Sequence, residues 1–190
     1  QKPNVKQIVY RLFGNEDTMY LALQQGDVDM VWSYSAGVAG TYQDVLAGND
    51  SVTLVNVAAA NAPAVLAFNN AKGLFVDENL RQAVSYALDY DAFKTYFGSA
   101  YAQLPNRGFV PETTVGYKQT EKLTTDQAKA AEYMAAAGYS EKNANGFYVN
   151  GDGQIASFTL TVNAAKEAHV GYAEMIKNQL EQFGIQVNLD

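Results

Sequence analysis

Residues 77–98 read DENLRQAVSYALDYDAFKTYFG, and the reading of this stretch decides the fold. Leu80, Ala83, Val84, Ala87 and Leu88 recur at i, i+3, i+4, i+7 and i+8, which gives one apolar face of a helix. Asp77 is placed to cap that helix, and it stands four residues before Arg81, so the two can pair along the exposed side. A second amphipathic run follows at once. Asp89 or Asp91 caps it, Phe93, Tyr96 and Phe97 are its apolar members, and Gly98 ends it. Two helices butted together after an extended segment ending in Phe68-Asn69-Asn70 imply a helical layer docked on a sheet.

Upstream, residues 5–13 (VKQIVYRLF) are β-rich and partly alternating, and read as a strand broken by Gly14-Asn15. Residues 16–25 read as a helix with Met19, Ala22 and Leu23 on one side and Gly26 as its stop. Residues 28–32 are a short strand. Residues 37–47 form a second helix, with Val38, Tyr42, Val45 and Leu46 inward and Gly48-Asn49 closing it. Residues 52–58 are a third strand. This order predicts a βαβαβ unit on a parallel sheet. Pro63 bars a central ladder position, so the apolar segment 64–69 is expected at an edge or crossing between two lobes.

Downstream, residues 100–117 are punctuated by Pro105, Gly108, Pro111 and Gly116 and predict a surface loop ordered by Tyr101, Phe109 and Tyr117. Thr124-Thr125-Asp126-Gln127 has the form of a capping box and starts a helix that Gly138 ends. Residues 145–149 and 155–162 flank Asn150-Gly151-Asp152-Gly153, a hairpin signal. Residues 166–183 are a long amphipathic helix with Val170, Ala173, Ile176, Leu180 and Phe183 on one face, stopped by Gly184. With the strand 185–189, residues 157–189 make a second β-α-β unit.

Composition narrows the function. The 190 residues are 48% hydrophobic, 12% aromatic and 17% charged, which argues against disorder and allows one domain or two small lobes. The formal net charge is −7 and the Lys and Arg residues are scattered, so no basic stripe for nucleic acid is present. The absence of cysteine removes disulfides, thiolate metal sites and a Cys nucleophile. No run of about 18 apolar residues is present to span a membrane. Gln1-Lys2-Pro3 shows no signal peptide, as expected of a chain that never had one, of a mature chain or of a piece of a longer one; the strand at the very end points to a piece.

Catalytic constellations are sparse. His169 is the only histidine, and on the long helix it reads as a surface or hydrogen-bonded residue; no G-x-S-x-G elbow accompanies it. Residues 150–153 resemble the start of a calcium loop only faintly, because the twelfth position falls on Thr161, and a plain turn explains them. No Gly-rich cradle for nucleotide phosphates is present. Asp27, Asp29, Asp89 and Asp91 read as caps and turn residues. No cofactor and no metal site are expected. Trp32 is the only tryptophan. It ends a short strand and precedes Ser33-Tyr34-Ser35, a position where open α/β sheets bind ligands. It reads either as an apolar ligand wall with hydroxyl donors beside it or as a core plug.

The ordered set of short motifs has a family look. Phe68-Asn69, then Leu80-Arg81-Gln82-Ala83 with Ala87 and Asp89, then Gly98, Pro111 and Gly116-Tyr117 resembles the extracellular solute-binding proteins of the peptide/nickel class, the receptors of ABC importers. Leu21, Gln24 and Gly26-Asp27-Val28-Asp29 are similar to an earlier segment of that family. So are Ala128 and Ala131 leading to Ala136-Ala137-Gly138-Tyr139, and Leu180 with Gly184-Ile185 and Val187, for later segments.

The resemblance implies an α/β fold of the type II periplasmic-binding-protein kind, here a partial two-lobed fragment with βαβ units. It places 1–62 at the end of the first lobe, 63–69 as a hinge-crossing strand, and 70–190 as the start of the distal lobe. It implies a substrate-binding component that holds peptides or related small solutes between lobes that close by hinge bending, and that catalyses nothing. By the same resemblance Trp32, Ser33, Tyr34, Asn61 and Ala64 touch ligand. Asn61 to Ala64 read Asn-Ala-Pro-Ala where relatives often carry tyrosines. Arg81 and Asp89 carry over no pocket role; pairing and capping suffice for them. The implied partners are the solute, permease subunits and the remainder of a longer protein, outside the cytoplasm of a bacterium. Any membrane attachment is by a lipid anchor outside this chain. Two other classes compete. One is a protein-interaction module using the 100–117 loop or a sheet edge. The other is a small α/β hydrolase domain using carboxylates with Tyr101, Tyr117 or His169.

Overall fold

Asp77 turns the chain into a helix: its carboxylate accepts the Asn79 N–H at 2.7 Å, and α3 runs from there as Glu78–Ala87. The structure is a computed structural model, and it describes residues 4–32, 37–38, 40–55, 64–98, 102–108, 110–112 and 114–190. The chain divides into two compact units, Gln1–Val57 with Tyr96–Tyr101, and Ala58–Thr95 with Ala102–Asp190.

The first unit is built on two helices. Asn15 caps α1 (Glu16–Gln25) by accepting the Thr18 N–H at 2.9 Å, and Gly26, at φ 78°, ends it as expected. α2 spans Gly40–Ala47. Leu46, Tyr20 and Ala22 are buried, and the Tyr20 and Tyr42 rings lie 4.5 Å apart. Tyr42 donates from its hydroxyl to Asp17 Oδ1. Val45, expected inward, is exposed.

The parallel sheet predicted for this unit is not found among the described residues. Residues 5–13, 28–32 and 52–55 carry no ladder, and Val5, Ile8, Val9, Tyr10, Leu12, Met30 and Val55 are exposed. Their composition is that of strands, but a strand is a relation between two segments, and among the described residues no second segment forms a ladder with them. Residues 56–58 of the third expected strand lie outside the described residues, as do 61–63. Residues 64–69 are not a strand either.

The second unit is layered. All five apolar positions read from α3 and its end, Leu80, Ala83, Val84, Ala87 and Leu88, are buried. α4 (Tyr90–Gly98), of which the residues up to Thr95 fall in this unit, starts on Asp89, whose carboxylate accepts the Ala92 N–H at 3.1 Å. Its later aromatics differ from expectation: Phe93 is half-buried, but Phe97 is exposed and Tyr96 borderline exposed.

α3 ends without glycine because its last carbonyls are satisfied by the residues that open a later helix. Asp126 N–H donates to Tyr86 O at 2.8 Å, Gln127 Nε2 to Ala87 O at 2.8 Å, and Thr125 Oγ1 to Leu88 O at 2.7 Å. That helix, α5 (Gln127–Ala136), is capped by Asp126, which accepts the Lys129 N–H at 2.9 Å; Thr124, read as the cap, is not. Thr125 and Gln127 are drawn away from a capping box by the carbonyls of α3.

β1 (Glu141–Lys142) and β2 (Tyr148–Val149) pair antiparallel. The 150–153 turn is held by Asn150 Oδ1, which accepts the N–H groups of Asp152 at 3.1 Å and Gln154 at 2.8 Å. The predicted hairpin beyond it shrinks to one bridge, Val149 to Ile155. β3 (Ser157–Leu160) leaves that pairing and runs parallel to β4 (Gln186–Leu189), Ser157 opposite Gln186 and Leu160 opposite Leu189.

The crossover between them is α6 (Glu167–Phe183), so the β-α-β unit read from the sequence is present. Ala173 is buried, and Leu180 and Phe183 share one core with Ile185 and Val187, each full burial contributing roughly 1.5–3 kcal/mol for the larger side chains. Gly184 ends α6 at φ 120°, where a Cβ would meet Gly146 O and Tyr148 Cδ2 at 2.9 Å.

Candidate functional site

Of the five residues expected to touch ligand, two are described. Trp32 is 69% exposed, which removes the core-plug reading, and Ala64 is exposed. Ser33, Tyr34 and Asn61 lie outside the described residues. Tyr101 and Phe109, expected to order the 100–117 loop, lie outside them too. Tyr117 does bind the loop together, accepting from Asn106 Nδ2 and donating to Glu112 Oε1 at 3.3 Å. His169 is exposed on α6.

The second unit holds a cavity of about 300 Å³ lined by Phe68, Asn70, Arg81, Gln82, Ser85 and Arg107. Three of these follow from α3. Arg81, Gln82 and Ser85 stand at i, i+1 and i+4, on the side away from its buried stripe. Arg81 does not pair with Asp77 as expected. Its Nη1 donates to Phe75 O at 2.8 Å and Val76 O at 3.2 Å, the carbonyls of a 3₁₀ turn at Gly73–Val76, and this fixes the guanidinium beside the cavity.

Arg107 comes from the 102–108 segment. Its guanidinium lies 4.5 Å over the Tyr86 ring, which stacks on Tyr133, and Lys129 Nζ lies 4.4 Å from the same ring. Nη1 donates to Ser85 Oγ at 2.9 Å. Nε is 4.0 Å from the carboxylate of exposed Glu121, and among the described residues Nη2 is buried with no hydrogen-bond partner.

Tyr90 closes the inner side of this network. Its hydroxyl donates to Ser85 O at 2.6 Å and lies 3.3 Å from Ser85 Oγ. Burial pushes the Tyr90 hydroxyl above its ordinary value, against the smaller opposing effects of the Ser85 hydrogen bond and the Arg107 charge, so it stays a neutral donor. Its one proton is committed to Ser85 O. Ser85 accepts from Arg107 and keeps its own proton for Tyr90 or for the cavity.

Sequence reading passed over Arg107 because it is a single cation in a Pro- and Gly-punctuated loop. The usable signal was the polar triplet on the outer face of α3. A wider depression of about 710 Å³, lined by Leu74, Val76, Asp77, Tyr139, Gln154 and Ile155 among others, carries one carboxylate, and Asp77 already spends it on the Asn79 N–H.

The model of the bacterial extracellular solute-binding proteins, family 5 Middle, matches residues 1–190. The chain belongs to this family.

It is similar to the oligopeptide-binding protein AppA of Bacillus subtilis, 22% identical over 191 residues, covering 98% of this chain and 33% of the relative. It is also similar to a probable ABC transporter-binding protein of Deinococcus radiodurans, 25% identical over 121 residues, covering 61% of this chain and 20% of that protein. The chain therefore spans about a third or less of these relatives.

Among solved structures, NikA from Brucella suis in complex with Fe(III)-EDTA superposes with a TM-score of 0.83 at 20% identity, covering 100% of this chain and 38% of that one. DppA from Helicobacter pylori in complex with the peptide STSA gives 0.64 at 24%, covering 95% and 31%. At these identities the likeness shows the fold: a portion of a type II periplasmic-binding-protein architecture, with βαβ construction, as the sequence motifs implied.

Proposed function

We propose that this chain is a section of the solute-binding receptor of a bacterial ABC importer, which takes peptides or related small solutes between two lobes and hands them to permease subunits. The observation that carries the reading is the family match across residues 1–190, joined to relatives described as oligopeptide-binding. In this reading residues 1–62 close the first lobe, 63–69 cross the hinge and 70–190 begin the distal lobe. Trp32 forms an apolar wall for the solute, with Ser33, Tyr34, Asn61 and Ala64 beside it. Its exposure suits a surface that is covered only when solute arrives. The receptor works outside the cytoplasm, held at the membrane by a lipid anchor outside residues 1–190, and it binds without catalysis.

Mass spectrometry of solute that copurifies with the full-length protein tests this directly. A peptide series is the expected result. A protein that carries no solute, yet turns over an ester or amide substrate, would falsify the reading. Trp32→Ala in the full-length receptor is expected to weaken peptide binding by about tenfold or more, the loss of one aromatic anchor, without lowering its unfolding midpoint. The 190-residue chain alone is expected to bind the same peptide weakly or not at all.

A further inference from the structure

We propose that the cavity between α3 and the 102–108 segment is a binding site for a small carboxylate. Two guanidiniums, Arg81 and Arg107, border it, and none of its six lining residues is acidic. In a chain of net charge −7 that local balance is reversed. The remaining lining groups, Asn70, Gln82 and Ser85, all carry a donor, and Phe68 offers an apolar wall.

Arg107 is the centre of the argument. Among the described residues its Nη2 is buried without a partner, although the side chain as a whole is 21% exposed, and a buried donor of a charged group favours an added acceptor. The groups around it do not supply one. Glu121 is 4.0 Å from Nε and exposed, and Nη1 is taken by Ser85 Oγ at 2.9 Å. A carboxylate in the cavity, with a small rotation of the planar guanidinium on its Tyr86 platform, accepts from Nη2 and from the Ser85 hydroxyl. Arg81, also lining the cavity, is held by Phe75 O and Val76 O and adds the second positive charge. Two cations and a planar fork suit one carboxylate; a guanidinium matches its two oxygens side by side. The volume of about 300 Å³ is at the lower end for small-molecule sites, which fits an anion of a few heavy atoms or the carboxylate end of a larger solute.

The test uses the full-length protein and acetate as the probe. Saturation-transfer NMR follows the acetate methyl group at constant ionic strength set with chloride, and inorganic phosphate is the competitor. Acetate is expected to bind, and to bind better than phosphate. Arg107→Gln is expected to lower acetate affinity about tenfold or more, the scale of one charge-assisted hydrogen bond. Gln82→Glu, on the outer face of α3 and clear of the Tyr86 stack, tests the same charge without disturbing packing, and is expected to lower it as much. If Arg107→Gln fails to fold, Gln82→Glu decides. No transfer to acetate above the chloride control, or unchanged affinity in Gln82→Glu, overturns the site. Phosphate bound more tightly than acetate overturns the carboxylate assignment. Because acetate is observed directly, the outcome does not depend on whether a peptide copurifies, so this proposal and the receptor reading fail separately.

Discussion

The two units were read from equally good patterns and turned out differently. In the second, the residues 157–160 and 186–189 find each other through α6, and their ladder closes over Leu180, Ile185 and Val187. In the first, residues 5–13 have at least as much β-branched and aromatic character. They nevertheless form no ladder among the described residues, with Leu12 94% exposed. The difference is one of partners. A β pattern states which face a strand would bury, and only a neighbour within reach turns that into hydrogen bonds. The crossover 161–185 brings such a neighbour to β3; nothing among the described residues brings one to 5–13.

The sharpest way to break this comparison is to truncate a leucine in each setting. Leu180→Ala, at a fully buried site, is expected to cost about 3–5 kcal/mol in urea unfolding. Leu46→Ala in the thinner packing of α1 and α2 is expected to cost about 2 kcal/mol, because that site collapses more easily. Leu12→Ala in the 190-residue chain is expected to change stability by under about 0.5 kcal/mol. In a longer protein where residues 5–13 gain a ladder partner, the same Leu12→Ala is expected to cost roughly 2–4 kcal/mol. Equal effects of Leu12→Ala in both lengths would mean that the segment is extended for its own reasons.

Helices were legible and sheets were only half so. The stripe from Leu80 to Leu88, the caps Asp77 and Asp89, and the glycine stops Gly26, Gly138 and Gly184 depend on residues within a few positions of one another, and they stand as read. The Asp77–Arg81 pair failed because the carbonyls of Phe75 and Val76 offered Arg81 partners that spacing along one helix does not show. The capping box failed for a similar reason: Thr125 and Gln127 serve α3, about forty residues earlier in the chain. The Arg107 cavity was invisible because its walls come from 68–70, α3 and a loop, with no periodicity linking them. The family resemblance was legible because it rested on order along the chain, which needs no geometry.

Next in size is Gly184, the point at which α6 is turned back toward β4. At φ 120° an alanine is strained, and its Cβ meets Gly146 O and Tyr148 Cδ2 at 2.9 Å. Gly184→Ala is expected to destabilise the second unit by about 2–3 kcal/mol in urea. Smaller again is Asp126→Ala, which removes the acceptor of the Lys129 N–H and should cost about 1 kcal/mol. If either loss appeared only in probes of the first unit, the assignment of the core to α3, α5 and α6 would be wrong.

The last test reads the second unit through pH. Tyr90, Tyr139 and Tyr148 all belong to it, and burial is the largest cause that pushes each above the ordinary tyrosine value of 10.0. For an acid whose pKa is raised on folding, the unfolded chain loses its proton first as pH rises. The contribution of such a group is therefore intact below pH 10, shrinks as pH climbs beyond it, and is lost by the time the folded-state value is passed. Tyr90→Phe keeps the ring beside Ser85 but removes the titration. At pH 8 it should be less stable than the parent by about 1 kcal/mol, since Ser85 O loses its donor. Between pH 10 and 12 the gap should close, because only the parent has a Tyr90 proton to lose. Urea midpoints measured across that range decide the matter. A gap that stays constant would mean that Tyr90 is as free to ionise in the folded chain as in the unfolded one, and that the second unit is less tightly closed around Ser85 and Arg107 than its hydrogen bonds imply.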